Sequence, residues 1–141
     1  MRYKGKEIGN ISKNILSGKV TVPVLKDIMS LLNEIYSNCF HINLGLSFHH
    51  EKYEGYSFTC VTPQRWMGSY PTYCSNDKTG LYLWLKDCLY ECRNDLSKSI
   101  QEQSSYASLS QTKLYYNQID FIISWVDMAH IRSELSKYLE E

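Results

Sequence analysis

Apolar residues recur along this chain with two different periods, and the change between them marks off a helical start, a β centre and a helical end. After Thr21, residues Leu25, Ile28, Met29, Leu32, Tyr36 and Cys39 fall three or four apart, the spacing that aligns side chains on one face of an α-helix. Thr21 can cap that helix and Pro23 suits its first turn, where a missing backbone N–H does no harm. The pattern predicts a helix over 22–38. Upstream, Asn10 as a cap and Gly18 as a stop bracket Ile11 and Ile15 and predict a short helix over 11–17.

At Phe40 the period drops to two. Phe40, Ile42, Leu44, Leu46 and Phe48 alternate with His41, Asn43, Gly45, Ser47 and His49, which predicts a strand with one buried and one wet face. Tyr56, Phe58 and Cys60 alternate in the same way, so 55–62 reads as its antiparallel partner. Keeping every large apolar group on one side places Leu44 opposite Cys60, Leu46 opposite Phe58 and Phe48 opposite Tyr56. A slip of one residue would turn one apolar set into water. The turn then falls at 51–54, with Gly55 free to supply a bulge. An isolated hairpin is marginal in water, so its apolar face must pack on helices.

Residues 63–80 carry Pro63, Pro71, Gly68 and Gly80 and no clean period. They read as a long loop, with room for a short third strand near 70–74. Beyond them Leu81, Leu85, Cys88, Cys92, Leu96 and Ile100 form a stripe that predicts a helix over 80–100. A serine-rich stretch over 101–110 leads to a second helix over 110–138, in which Ile119, Phe121, Ile122, Ile123, Trp125, Val126 and Met128 cover nearly the whole circumference. Such a helix is central, or it also meets a second subunit in a homo-oligomer. The expected fold is therefore α+β, one domain over 1–141. Two long C-terminal helices and one or two N-terminal helices pack on a small antiparallel hairpin or meander.

Composition adds compartment and charge. The chain has 141 residues, 43% hydrophobic and 21% charged, the balance of an ordinary globular protein. No apolar run reaches the roughly 18 residues of a membrane span, and no apolar stretch follows the basic start as in a secretion signal. Five cysteines, an odd count, then favour reduced thiols. The expected compartment is the cytoplasm, with no membrane partner. Formal net charge is 0, but Arg2, Lys4, Lys6, Lys13, Lys19 and Lys26 face only Glu7 within the first 26 residues. This basic segment either neutralises the acidic remainder or touches phosphate.

Candidate chemistry is sparse. Cys88 and Cys92 are four apart on a helical face, but structural zinc sites use two close ligand pairs and both cysteines sit inside an apolar stripe. Asp127 and His130 make an acid-x-x-His pair that would need carboxylates such as Asp87 or Glu91 from a facing helix. It reads more simply as the wet face of an apolar helix. His41, Asn43, Ser47, His49, Ser57 and Thr59 share the polar face of the hairpin without an orienting acid or a nucleophile. Phosphate loops, dinucleotide fingerprints, nucleophile elbows and nucleic-acid signatures are all missing, so no cofactor and no metal is expected, and binding is favoured over catalysis.

What stands out is aromatic. Twelve tyrosines accompany four phenylalanines, and each tyrosine carries a hydroxyl that must reach water or a partner. In the irregular stretch Arg65, Trp66, Tyr70 and Tyr73, with Tyr53 and Tyr56 nearby, are the residue types that dominate binding hot spots. The leading expectation is a small protein that binds and occludes a protein partner, as immunity proteins, antitoxins and phage-type inhibitors do. Its rivals are a small-ligand or nucleotide sequestering protein, in which these rings stack on a base, and a metal-dependent enzyme using His41, His49, Asp127 or His130.

Overall fold

The computed structural model describes residues 2–51, 55–59, 72–75 and 78–139. In chain order the elements are β1 (Arg2–Tyr3), β2 (Lys6–Glu7), α1 (Lys13–Leu16), α2 (Val22–Phe40), β3 (Ser47–Glu51), β4 (Gly55–Thr59), β5 (Thr72–Ser75), α3 (Lys78–Glu102) and α4 (Leu109–Leu139). The fold is α+β: a mostly helical chain with small antiparallel sheets, β1–β2 and β3–β4–β5. No helix among the described residues is long and apolar enough to cross a membrane.

The N-terminal hairpin is absent from the hydrophobic pattern because it is two residues per strand. Arg2 pairs with Glu7 and Tyr3 with Lys6 across Lys4 and Gly5, both at positive φ (49° and 77°), the backbone of a type I′ turn. Tyr3 anchors it to α4, meeting the Phe121 ring edge-on at 5.2 Å and hydrogen-bonding Ser124 Oγ at 2.5 Å. The Lys4 and Lys6 ammonium groups lie over the Tyr3 and Tyr116 rings. The basic start of the chain is thus held against the last helix. Gly9 follows at φ +63°, where a Cβ would come within 3.3 Å of Leu114, so a side chain here would strain the backbone and press on α4.

In α1 the cap is Ser12, not Asn10: its hydroxyl accepts from the Ile15 N–H at 3.2 Å. Thr21 caps α2 as expected, accepting from Val24 N–H at 3.4 Å, with proline in the first turn. The α2 stripe Val24, Leu25, Ile28, Met29, Leu32, Ile35, Tyr36 and Cys39 is wholly buried. The helix runs to Phe40 and ends on His41 in the left-handed region (φ 53°), with Ile42 N–H donating back to the Tyr36 carbonyl at 2.9 Å.

That extension corrects the predicted strand. Residues 41–46 pair with no strand, and β3 starts only at Ser47. The alternation is nonetheless real in three dimensions, since Leu44 and Leu46 are buried while Asn43 and Gly45 are exposed. The β3–β4 register is offset by two residues from the expected one: Phe48 faces Phe58 and His50 faces Tyr56. An even offset preserves which residues share a face, so pattern alone does not distinguish the two registers. The third strand is Thr72–Ser75, with Tyr73 opposite Phe58 and Ser75 opposite Tyr56.

Helices α3 and α4 form an antiparallel hairpin, seen in Arg93 reaching Asp120 and Ser99 lying near Thr112. The central position of α4 matches its apolar circumference, for Tyr115, Ile119, Phe121, Ile122, Ile123 and Val126 are all buried. One core joins these residues to the α2 stripe, to Ile8, Ile15, Leu44 and Leu46, and to Tyr82, Leu85, Cys88, Leu89, Cys92 and Leu96 of α3. Cys88 and Cys92 are apolar filler of this core. Asp120 of α4 is partly buried and paired with Arg93 of α3 at 2.8 Å.

Candidate functional site

Of the six residues singled out by sequence, Tyr53, Arg65, Trp66 and Tyr70 lie outside the described residues. The other two are strand residues. Tyr56 is on β4 and Tyr73 on β5, and the register places both on the face shared by Phe48 and Phe58. The stretch 63–80 is therefore not irregular throughout: its end supplies β5 and the first turn of α3. On the polar face of the hairpin, His49 pairs with Ser57 and Ser47 with Thr59 as the alternation requires. His41 and Asn43 do not join them, because α2 overruns the predicted strand start.

A different group of residues comes together at the end of the α3–α4 hairpin. Helix α3 ends at Glu102, Gln103 turns the chain at φ 54°, and the connection crosses to α2. There the Tyr106 N–H donates to the Cys39 carbonyl at 2.9 Å. This backbone bond anchors the chain at Tyr106, whose ring stacks on His41 at 3.8 Å between centroids and 15° between planes. Tyr106 is 68% exposed and Leu109 beside it in sequence 52%. A large ring thus rests on His41 while presenting most of its surface to solvent.

The residues on either side of Tyr106, Ser105 and Ala107, line a pocket of about 250 Å³ together with Ser99, Ile100, Gln103, Leu109 and Thr112. Its hydroxyls are engaged: Ser99 donates to the Leu96 carbonyl at 3.1 Å, and Thr112 reaches the Ser108 carbonyl at 2.8 Å and Ser105 Oγ at 2.9 Å. Burial raises the Cys39 thiol pKa, with hydrogen bonds from Ser105 and Thr112 opposing the shift. A protonated thiol and hydroxyls bound to carbonyls are poor nucleophiles. The arrangement offers contact surface and hydrogen-bonding groups, not an activated attacking group. Among the described residues no three His, Cys, Asp or Glu side chains gather as a metal would require.

Sequence reasoning passed over Tyr106 because 101–110 reads as a polar connector. The available signal was an aromatic residue standing alone among serines, where no core periodicity accounts for it.

Comparison with known proteins gives no match: no protein-family model, no curated protein and no solved structure matches this chain.

Proposed function

We propose that the protein is a small cytoplasmic binding protein that occludes a protein partner, in the manner of an immunity protein, an antitoxin or a phage-type inhibitor. The observation that carries this reading is the exposed Tyr106 ring, stacked on His41, on a backbone anchored to Cys39. An aromatic side chain supported by a stacked neighbour loses less freedom on binding than an unsupported one, and aromatic anchors dominate interface energies. Arg65, Trp66 and Tyr70, with Tyr53, supply the second part of the contact surface. Tyr73 on β5 contributes to the same contact surface, with Tyr56 of β4 adjacent to it.

The test is quantitative partner capture by the full chain and by variants. Tyr106→Ala, and separately Trp66→Ala with Tyr70→Ala, lower partner affinity at least about tenfold, roughly 1.4 kcal/mol, while thermal unfolding stays near that of the parent. Unchanged recovery with both sets of substitutions overturns the reading.

A second reading, capture of a small ligand, is favoured by the pocket beside Tyr106. A nucleotide would stack on the exposed ring and bring phosphate charge, so its affinity would fall steeply with salt. A flat salt response removes the nucleotide form of that reading.

A further inference from the structure

We propose that the pocket at the end of the α3–α4 hairpin binds a small, uncharged and largely apolar molecule, about the size of two fused rings. The inference rests on the ligand-capture reading of this site and narrows it; it does not depend on occlusion of a protein partner. Among the described residues no Asp, Glu, Lys, Arg or His side chain lines the pocket. A charged ligand would leave water there without meeting a counter-charge, an unfavourable transfer.

The hydroxyls around the pocket are already spent on the protein. Ser99 donates to the Leu96 carbonyl and Thr112 to the Ser108 carbonyl. Ser105 Oγ accepts from the Ala107 N–H at 3.2 Å and hydrogen-bonds the Cys39 thiol. Ser99 and Thr112 are also buried, so their hydroxyls are not offered to a ligand. What the pocket does offer is hydrocarbon: Ile100 and Ala107 are partly exposed and Leu109 largely so. A large aliphatic side chain standing in water beside a concavity gains free energy when a ligand covers it. Polarity is left to Gln103, which is exposed and whose amide can meet one N–H or C=O group of the ligand. Volume sets the size. The pocket holds about 250 Å³, and an apolar cavity of about 150 Å³ takes one benzene ring. Two fused rings therefore fit, whereas a nucleotide with its sugar and phosphate exceeds the space.

Binding is measured by isothermal titration of the full chain with indole, with indole-3-acetamide and indole-3-acetate as a pair matched in shape but not in charge, and with adenosine monophosphate. Saturable indole binding is expected, and the acetate should bind at least about tenfold more weakly than the acetamide. Ala107→Leu fills the pocket and should weaken indole at least about tenfold. Leu109→Ser, at an exposed position, removes the apolar wall and should weaken it about fivefold. If Ala107→Leu unfolds, Leu109→Ser carries the test alone. Absence of saturable indole binding overturns the proposal, and so does equal affinity for acetamide and acetate or an unaffected Leu109→Ser. Salt-sensitive binding of adenosine monophosphate without indole binding overturns it too, while leaving ligand capture at this site standing.

Discussion

The side-chain amide of Asn33 pairs with the backbone of Leu46 as a neighbouring strand would. Asn33 Nδ2 donates to the Leu46 carbonyl and Asn33 Oδ1 accepts from the Leu46 N–H, both at 3.0 Å. Residues 41–46 have no strand partner, so this amide meets backbone groups that the buried Leu46 side chain carries toward the core. Asn33→Leu removes both bonds and strands both groups. The expected loss is about 2 kcal/mol, read as a lower urea midpoint at unchanged m-value. Asn33→Asp retains the acceptor and should lose less.

Trp125 ties α4 to the end of α1. Its indole Nε1 donates to the Leu16 carbonyl at 2.9 Å, and its ring stacks on Phe121 at 5.7 Å. Trp125→Phe keeps the stack and deletes the donor, for an expected loss of about 1 kcal/mol. Phe121→Ala removes the support beneath both Trp125 and Tyr3 and should cost about 3 kcal/mol or more. Equilibrium unfolding of the two variants ranks them; a larger loss in Trp125→Phe would show that the indole hydrogen bond outweighs the packing.

Arg93 links the two long helices. It pairs with Asp120 at 2.8 Å and lies 5.0 Å from the Tyr90 ring centre. Both partners remain over a quarter exposed, so solvent screens the pair and its coupling should be about 1 kcal/mol or less. A double-mutant cycle with Arg93→Met and Asp120→Asn measures it. The coupling should shrink in 1 M salt, where the screening length is about 3 Å.

Alkaline conditions should destabilise the fold through two buried groups, the Cys92 thiol and the Tyr115 phenol. Burial, reinforced by the Asp95 charge and the neighbouring Cys39 and Cys88, raises the Cys92 thiol well above the ordinary 9.0. Burial likewise raises the Tyr115 phenol above 10.0, with the Asn38 hydrogen bond opposing and Glu34 reinforcing the shift. As pH rises past 9 the unfolded chain releases its thiol proton while the native chain holds it. Unfolding is therefore favoured, and stability falls with rising pH. Urea midpoints between about pH 8 and 10 should decline for the parent and decline less for Cys92→Val. Equal slopes would assign the alkaline loss to other groups.

The helices were legible because each carries its own periodic stripe: every apolar position assigned to α2 is buried, and Thr21 caps where its side chain requires. The strand start was misread because Phe40 satisfies both periods at once, closing the α2 stripe and opening the alternation. Helix won through His41, whose left-handed backbone allows Ile42 to bond back to Tyr36. The β3–β4 register escaped for a related reason, since pairing Phe48 with Tyr56 or with Phe58 leaves the same residues on each face. Two-residue strands such as β1 and β2 carry too few positions for any period. In the candidate site, Tyr56 was legible as a strand residue and Tyr73 was assigned to an irregular stretch, whereas the place of Tyr106 depends on a backbone bond to Cys39 of α2, 67 positions away in the chain.

Local periodicity, caps and turn residues thus determined that this chain is α+β, where its helices lie and which of their faces are buried, because these properties arise among residues within one or two turns of each other. Tertiary structure alone decided that Asn33 stands in for a strand, that Tyr106 rests on His41, and that Ser99 of α3 and Thr112 of α4 line one pocket. Each depends on contacts between elements whose relative placement is set by packing of the whole core, and no short stretch of sequence encodes that placement.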